Sequence, residues 1–335
     1  MSRPPRDSVP PRRGAVAALL PARPGPAGIA LALLVAAVTA LLVVRALAGD
    51  GGGPPAPRPL AEVRALAGAP RTGEGVRVDL RVTQSALPAA FARSQALPEG
   101  TTRGRLWVAR ADLWRLELQG EGHDWQLTRE GGLLRLYGSA SQTLLTLTVD
   151  RVPAGVAGIG PTRVSGPEPR VVAGRAAYRV RYAPVGRGLL VEALEVTSDA
   201  ETGVPLEVAL RARGGRRVLH ARATGFHHEP VGADRVRVRA PRAGTTAPLG
   251  AVLALAERGA ALRVEGTGWG RVLRLRGGGD GIGALLRRLS GAGDDDPAPG
   301  PVTLRLPLLT AVVGDAGVRV GAVTPERLAE VTGAG

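Results

Sequence analysis

Residues of the types that bind zinc occur together in this chain as His227-His228-Glu229. Consecutive residues of a strand point to opposite faces, so the two imidazoles would not converge on one ion. No third histidine lies nearby in the sequence, and a zinc site needs three or four converging ligands. We therefore expect a strand that ends at the surface here, and no metal.

Two further motifs could serve a cofactor or a cation. Gly279-Asp280-Gly281-Ile282-Gly283-Ala284 matches the relaxed G-x-G-x-x-A dinucleotide pattern between a candidate strand and a candidate helix. No second βαβ half follows it, however, and a glycine-rich turn explains it equally well. Asp294-Asp295-Asp296 lies in an acidic, Pro-rich linker, where solvated carboxylates are expected rather than a calcium site. We predict that the protein uses no cofactor.

Nucleophilic catalysis has no candidate residue in this sequence. The absence of cysteine removes thiol nucleophiles, disulfides and cysteine metal ligands, and no G-x-S-x-G elbow is present. The four histidines, at positions 123, 220, 227 and 228, have no context that marks a general base. We therefore expect a binding protein and not an enzyme.

The N-terminal region indicates where the protein works. Residues 28–44 are apolar or small without a charge, close to the minimum length of a membrane-spanning helix. Arginines at positions 3, 6, 12, 13 and 23 precede them against the single acid Asp7, which predicts a cytoplasmic N-terminus. We expect a cytoplasmic tail over 1–26, an anchor over 27–48 in the cell membrane, a Gly/Pro linker over 49–59 and an extracytoplasmic body. A signal peptide cleaved after Ala46-Leu47-Ala48 is the alternative.

The net charge of +15 comes from arginine alone, since the sequence contains no lysine. The arginines are scattered and lack interleaved aromatic residues, which argues against nucleic-acid binding. A solvated surface is one interpretation of this charge, and attraction to anionic lipid head groups or cell-wall polymers is the other.

The body is organised into strands. A short amphipathic helix is predicted over 60–66, and from Gly75 apolar residues recur at every second position. Trp114, Leu116 and Leu118 share one face of a strand and Arg115 and Glu117 the other, and the short turns that follow predict antiparallel hairpins. Such a meander has one apolar face and one solvated face.

A loop is predicted over 152–169, and strands resume after it, the last of them over 235–239. In the turn that follows the strand over 189–197, Asp199 can accept backbone N–H bonds, Gly203 supplies a positive φ and Pro205 suits the first residue of an edge strand.

After Pro241 the pattern mixes helix and strand, which predicts a small C-terminal α/β accessory domain over 247–335. The elements predicted there are helices over 249–259, 282–289 and 325–331 and strands over 271–276, 302–313 and 318–323.

The order of features between Gly75 and Pro241 resembles the LolA-like lipoprotein-carrier superfamily, which includes regulators of the RseB/MucB type and membrane-anchored actinobacterial relatives. The segments that carry the resemblance are RLWVARADLWRLEL, WQLTREGGLLRLYGSASQTLLTL, VVAGRAAYRVRY, DAETGVPLEV and RVRVRAP. It implies an α+β fold over 60–246, a curved, unclosed antiparallel β half-barrel with short lid helices.

If the resemblance holds, the apolar faces of the strands line a hydrophobic cavity, although a filled core is the alternative. The expected ligand-binding residues are Trp114, Leu116, Leu118, Trp125, Leu127, Leu134, Leu136, Val180, Tyr182, Leu206, Val208 and Leu210. The expected ligand is an acyl chain or a lipidated protein. The alternatives are a sigma/anti-sigma signalling regulator that binds an envelope or anti-sigma protein, and a structural envelope domain.

Overall fold

A computed structural model describes residues 48–50, 56–68, 72–86, 100–120, 124–140, 142–148, 160–238, 245–248, 262–275, 301–314 and 317–333. Its helices are α1 (Leu60–Gly68), α2 (Ala233–Val236) and α3 (Pro325–Val331). Its strands up to residue 199 are β1 (Ala48–Asp50), β2 (Val76–Gln84), β3 (Gly100–Arg110), β4 (Leu113–Gln119), β5 (Asp124–Glu130), β6 (Leu133–Gly138), β7 (Thr143–Thr148), β8 (Thr162–Val172), β9 (Arg175–Pro184) and β10 (Val191–Asp199). The later strands are β11 (Glu201–Gly203), β12 (Pro205–Ala212), β13 (Arg217–His228), β14 (Thr245–Pro248), β15 (Leu262–Glu265), β16 (Val272–Leu275), β17 (Val302–Arg305), β18 (Thr310–Gly314) and β19 (Gly317–Gly321).

Twelve strands form one open sheet in the order β14-β7-β6-β5-β4-β3-β2-β13-β12-β10-β9-β8. Every neighbouring pair is antiparallel except β14 and β7, and β14 and β8 are the two unjoined edges. Strands β2 to β7 follow each other as a meander, as the spacing of the turns predicted.

The first sheet curves, as strongly twisted open sheets of more than about ten strands commonly do. Val172 on the edge strand β8 belongs to the same core cluster as Leu80 on β2, although four strands separate them. The guanidinium of Arg175 on β9 lies 4.7 Å from the ring centroid of Phe226 on β13, across two intervening strands. These contacts fit the expected curved half-barrel.

The hairpin from β10 through β11 to β12 is built around a fully buried carboxylate. The Oδ1 atom of Asp199 accepts hydrogen bonds from the backbone N–H of Thr202 (2.7 Å) and Glu201 (3.0 Å), and Arg175 donates to both carboxylate oxygens. Gly203 has a φ of 76°, a conformation that glycine adopts without strain. Both features were predicted. Pro205, expected on an edge strand, instead opens the interior strand β12.

Two local predictions were wrong. Strand β8 begins at Thr162, within a segment predicted as a loop, because an edge strand with a register shift between Ser165 and Glu168 accommodates Pro167 and Pro169. Residues 235–239 were predicted as a strand, but α2 ends there. Val236 is buried with Trp107 and Leu113, so the segment packs onto a sheet face instead of pairing.

The second sheet has five antiparallel strands in the order β15-β16-β19-β18-β17, accompanied by α3. A single strand was predicted over 302–313, but Pro307, which has no N–H to donate, lies between β17 and β18. Helix α3 has the predicted bounds, and Thr324 caps its N-terminus. The two sheets are in contact, since Trp269 Nε1 donates to Thr162 Oγ1 (3.0 Å) and Leu190 N donates to Ala322 O (2.9 Å).

Several predicted segments lie outside the described residues. They are residues 1–26, the anchor except Ala48, the helices predicted after Pro248 and near Ile282, the G-x-G-x-x-A motif and Asp294-Asp295-Asp296. In the part of the chain that the structure describes, none of the helices has the length and apolar character needed to cross a bilayer.

Candidate ligand-binding face of the first sheet

The register of the first sheet places all twelve predicted ligand-binding residues on one face. Residues directly opposite each other on paired strands share a face. Leu106, Leu116, Leu127 and Leu136 are opposite one another in turn on β3 to β6. In the other direction across the sheet, the residues opposite one another in turn are Val82 on β2, Ala221 on β13, Val208 on β12, Val196 on β10 and Val180 on β9. We call this face, which also carries Val76, Val78 and Leu80, the apolar face, and the other one the polar face.

Seven of the predicted residues form a continuous patch on β4, β5 and β6, which we call the apolar patch. Its members are Trp114, Leu116, Leu118, Trp125, Leu127, Leu134 and Leu136. The tryptophans, Leu134 and Leu136 are buried, whereas Leu116, Leu118 and Leu127 are only partly buried. The patch therefore reaches the surface at three leucines.

Two glycines leave space for large side chains of the apolar patch on the neighbouring strands. A Cβ atom on Gly138 would lie 2.9 Å from Cη2 of Trp125, which pairs with it across β5 and β6. A Cβ atom on Gly104 would lie 2.9 Å from Cδ2 of Leu118, its partner on β4. Neither glycine has a positive φ, so close packing and not backbone conformation requires them.

Helix α1 packs on the apolar face at β9. Val63 packs with Tyr178 and Val180, and Tyr182 lies at the edge of the same cluster. Burial raises the pKa of the Tyr182 hydroxyl, against the opposing effect of the nearby Arg64 guanidinium. Val180 and Tyr182 therefore belong to the packing around α1.

The second sheet covers the apolar face at β10 and β12. Leu308 is buried in one cluster with Leu194, Val208 and Leu210. Leu206 is fully buried in the core cluster formed with β2. The twelve predicted residues therefore separate into the apolar patch and five residues that contribute to packing within the protein.

The polar face carries charged pairs across the strands. Glu195 is buried, and it accepts hydrogen bonds from Arg211 Nε (2.8 Å) and Arg181 (3.0 Å). Burial would raise the pKa of Glu195, but the hydrogen bond from Arg211 and the charges of Arg211, Arg179 and Arg181 outweigh it. The pKa of Glu195 is therefore lowered.

A row of buried polar atoms under α2 was not predicted. Four residues lie opposite one another in turn across neighbouring strands: Arg77 on β2, Trp107 on β3, Arg115 on β4 and Thr128 on β5. Each has a buried nitrogen or oxygen without a hydrogen-bond partner. Arg115 also donates to the backbone oxygens of Arg235 and Arg237, which ties α2 to the sheet. The alternation of charged and apolar residues gave no sign of this cover.

The histidines do not converge. His227 contacts Asp79 on the polar face (3.2 Å), while His228 packs edge-on against Phe226 on the other side. His220 contacts Glu207 (2.6 Å), and His123 lies outside the described residues. No group of three or more possible metal ligands occurs in the described segments.

No protein-family model and no curated protein matches the chain. Among solved structures it is similar to Pseudomonas aeruginosa MucB in complex with MucA, at 15% identity and a TM-score of 0.43, covering 77% of this chain and 91% of that one. It is also similar to MucB solved alone, at 18% identity and a TM-score of 0.39, covering 78% and 92% of the two chains. A LolA superfamily protein from Nitrosomonas europaea matches at 8% identity and a TM-score of 0.24, over 49% of this chain and 90% of that one. These similar structures include proteins of the MucB and LolA types.

Proposed function

We propose that this protein is a binding protein without catalytic activity, and that the apolar patch holds an acyl chain of a lipid or of a lipidated partner. The observation that carries the proposal is the partial exposure of Leu116, Leu118 and Leu127, three neighbouring leucines of the apolar patch. Contiguous apolar surface that reaches solvent commonly marks a binding site.

The energetics of this contact are sufficient for binding. Each buried methylene contributes about 0.8 kcal/mol, so a ten-carbon stretch contributes about 8 kcal/mol before the cost of ordering the chain. The large side chains of Trp125 and Leu118 provide contact area. Gly138 and Gly104, which lie opposite them, have no side chains that would compete for the same space.

The proposed location is the extracytoplasmic side of the cell membrane, with the protein held by the apolar segment within residues 27–48. The supporting observations are the uncharged stretch 28–44 and the five arginines before it. An anchor of this kind would keep the patch close to the lipids that supply its ligand. The role of β15 to β19 as a small accessory domain belongs to the same proposal.

The test is to measure lipid retained by the full-length protein after purification, by mass spectrometry of its organic extract. Leu118→Gln places a polar amide in the apolar patch and is expected to lower retained lipid several-fold, because it leaves an amide without partners against the chain. Arg103→Gln is the matched control, since Arg103 is exposed on the polar face of the neighbouring strand.

Equal lipid content in the wild type, Leu118→Gln and Arg103→Gln would contradict the proposal. In that case the alternative expected from the sequence, a signalling regulator that binds an envelope or anti-sigma protein, would be favoured.

A further inference from the structure

The apolar face of strands β2 to β6 carries one charged side chain. In these fully described strands the residues on this face are apolar, glycine or uncharged polar, except Arg129 near the end of β5. Its Nε atom donates to Gly131 O (3.0 Å), and no carboxylate pairs with its guanidinium among the described residues. The half-buried guanidinium therefore keeps its terminal N–H groups available at the rim of the apolar patch.

Trp114 lies directly opposite Arg129 on β4 and shares its face. Its side chain is 4% exposed, and its indole Nε1 has no hydrogen-bond partner. A buried tryptophan N–H normally finds an acceptor, because a buried donor without a partner is destabilising. The indole nitrogen is a donor only, so the missing partner must be an acceptor.

We infer that Arg129 and Trp114 bind the polar end of the amphiphile whose chain occupies the apolar patch, and that this end is an acyl carboxylate or a phosphate. This inference rests on the proposed function and extends it to the ligand's head group. The two donors stand at one end of the patch, with Leu116, Leu127 and Leu118 extending away from them along the strands. Donors at one end and aliphatic side chains along the rest match a molecule with one anionic end.

The experiment compares two photoreactive probes with the same chain, one with an anionic head group and one with a neutral head group. The full-length protein in neutral phosphatidylcholine vesicles is exposed at alkaline pH to a diazirine-bearing hexadecanoic acid or to its methyl ester. Labelling is then quantified on the peptides that contain β4 to β6. Since a hydrogen bond to a charged group contributes about 1.5–3 kcal/mol, the acid is expected to label at least about tenfold better at limiting concentration.

The variants separate charge from packing. Arg129→Gln is expected to reduce labelling by the acid to the level of the ester and to leave the ester unchanged, whereas Arg129→Lys retains most of the difference. Trp114→Phe is expected to weaken both probes, because each carries a carbonyl acceptor. Arg103→Gln on the polar face serves as the control and changes neither.

Equal labelling of the wild type by acid and ester, or an equal loss of both in Arg129→Gln, would overturn the inference and leave the proposed function intact. Absence of labelling on β4 to β6 by either probe would overturn the proposed function itself. Inorganic phosphate is not expected to compete. Its displacement of the acid at millimolar concentration would assign the site to a free anion and contradict a head group.

Discussion

At the scale of single residues, the polar face of the first sheet carries buried polar atoms that have no hydrogen-bond partner. Thr128 is 1% exposed and its hydroxyl has no partner, whereas Thr310, also 1% exposed, donates its hydroxyl to Val323 O. The two threonines therefore have the same burial and differ in hydrogen bonding, which makes them a matched pair.

Replacing each threonine by valine should have opposite effects on the free energy of unfolding. Thr128→Val removes an unsatisfied hydroxyl and should raise stability by about 1 kcal/mol, because the burial cost of the hydroxyl disappears. Thr310→Val breaks a satisfied bond and should lower stability by about 1–2 kcal/mol. Urea denaturation measures both, and a loss of stability in Thr128→Val would show that its hydroxyl has a partner.

The lowered pKa of Glu195 predicts a loss of stability in acid. A carboxylate whose folded pKa lies below its ordinary value of 4.5 stabilises the protein above that value. This contribution is lost as the pH falls through the folded pKa. The difference in unfolding free energy between wild type and Glu195→Gln should therefore be largest above about pH 5 and shrink toward pH 3.

Glu168→Gln is the control for this prediction, because Glu168 forms its ion pairs at an exposed position, where such pairs contribute little. A difference between wild type and Glu195→Gln that stays constant or grows in acid would contradict the assigned charge state of Glu195.

At the scale of elements, two helices cover opposite faces of the first sheet. Helix α1 lies on the apolar face through Val63, and α2 lies on the polar face through Val236. Both are short, so their positions depend on a few apolar side chains and not on helix propensity.

Val63→Asp should detach α1 from the sheet, because it places a carboxylate against Tyr178 and Val180 without a partner. Hydrogen exchange should then become faster in residues 60–68, while β2 to β5 keep their protection. Ala61→Asp is the control, since Ala61 is exposed on the same helix. Unchanged exchange in Val63→Asp would show that Val63 does not hold α1 in place.

The elements also show how far the sequence predicts this structure. Alternation predicted β2 and the hairpins of β3 to β7, because each strand has one apolar and one polar face. It failed at Val236, which covers a polar face from outside, and at Pro167, where an edge strand accepts residues typical of loops. The sequence also predicted that the apolar residues of each strand share one face. It did not predict which of these residues α1 and Leu308 cover, because that depends on contacts between residues far apart in the chain.

At the scale of the whole molecule, the second sheet and α1 leave parts of the apolar face only partly buried, at the apolar patch and at Leu219 and Phe226 on β13. Leu308 covers β10 and β12, Val63 covers β9, and the three partly buried leucines of the apolar patch lie on β4 and β5. The proposed ligand therefore lies on β4 and β5, where neither Val63 of α1 nor Leu308 covers the apolar face.

The most direct test of this placement is methyl NMR of the full-length protein, in lipid nanodiscs, titrated with a fatty acid that carries a nitroxide on its chain. The methyl signals of Leu116, Leu118 and Leu127 should broaden at low occupancy, while those of Leu304 and Leu309 in the core of the second sheet stay sharp. Equal broadening of both groups, or none in the three leucines of the patch, would contradict the account.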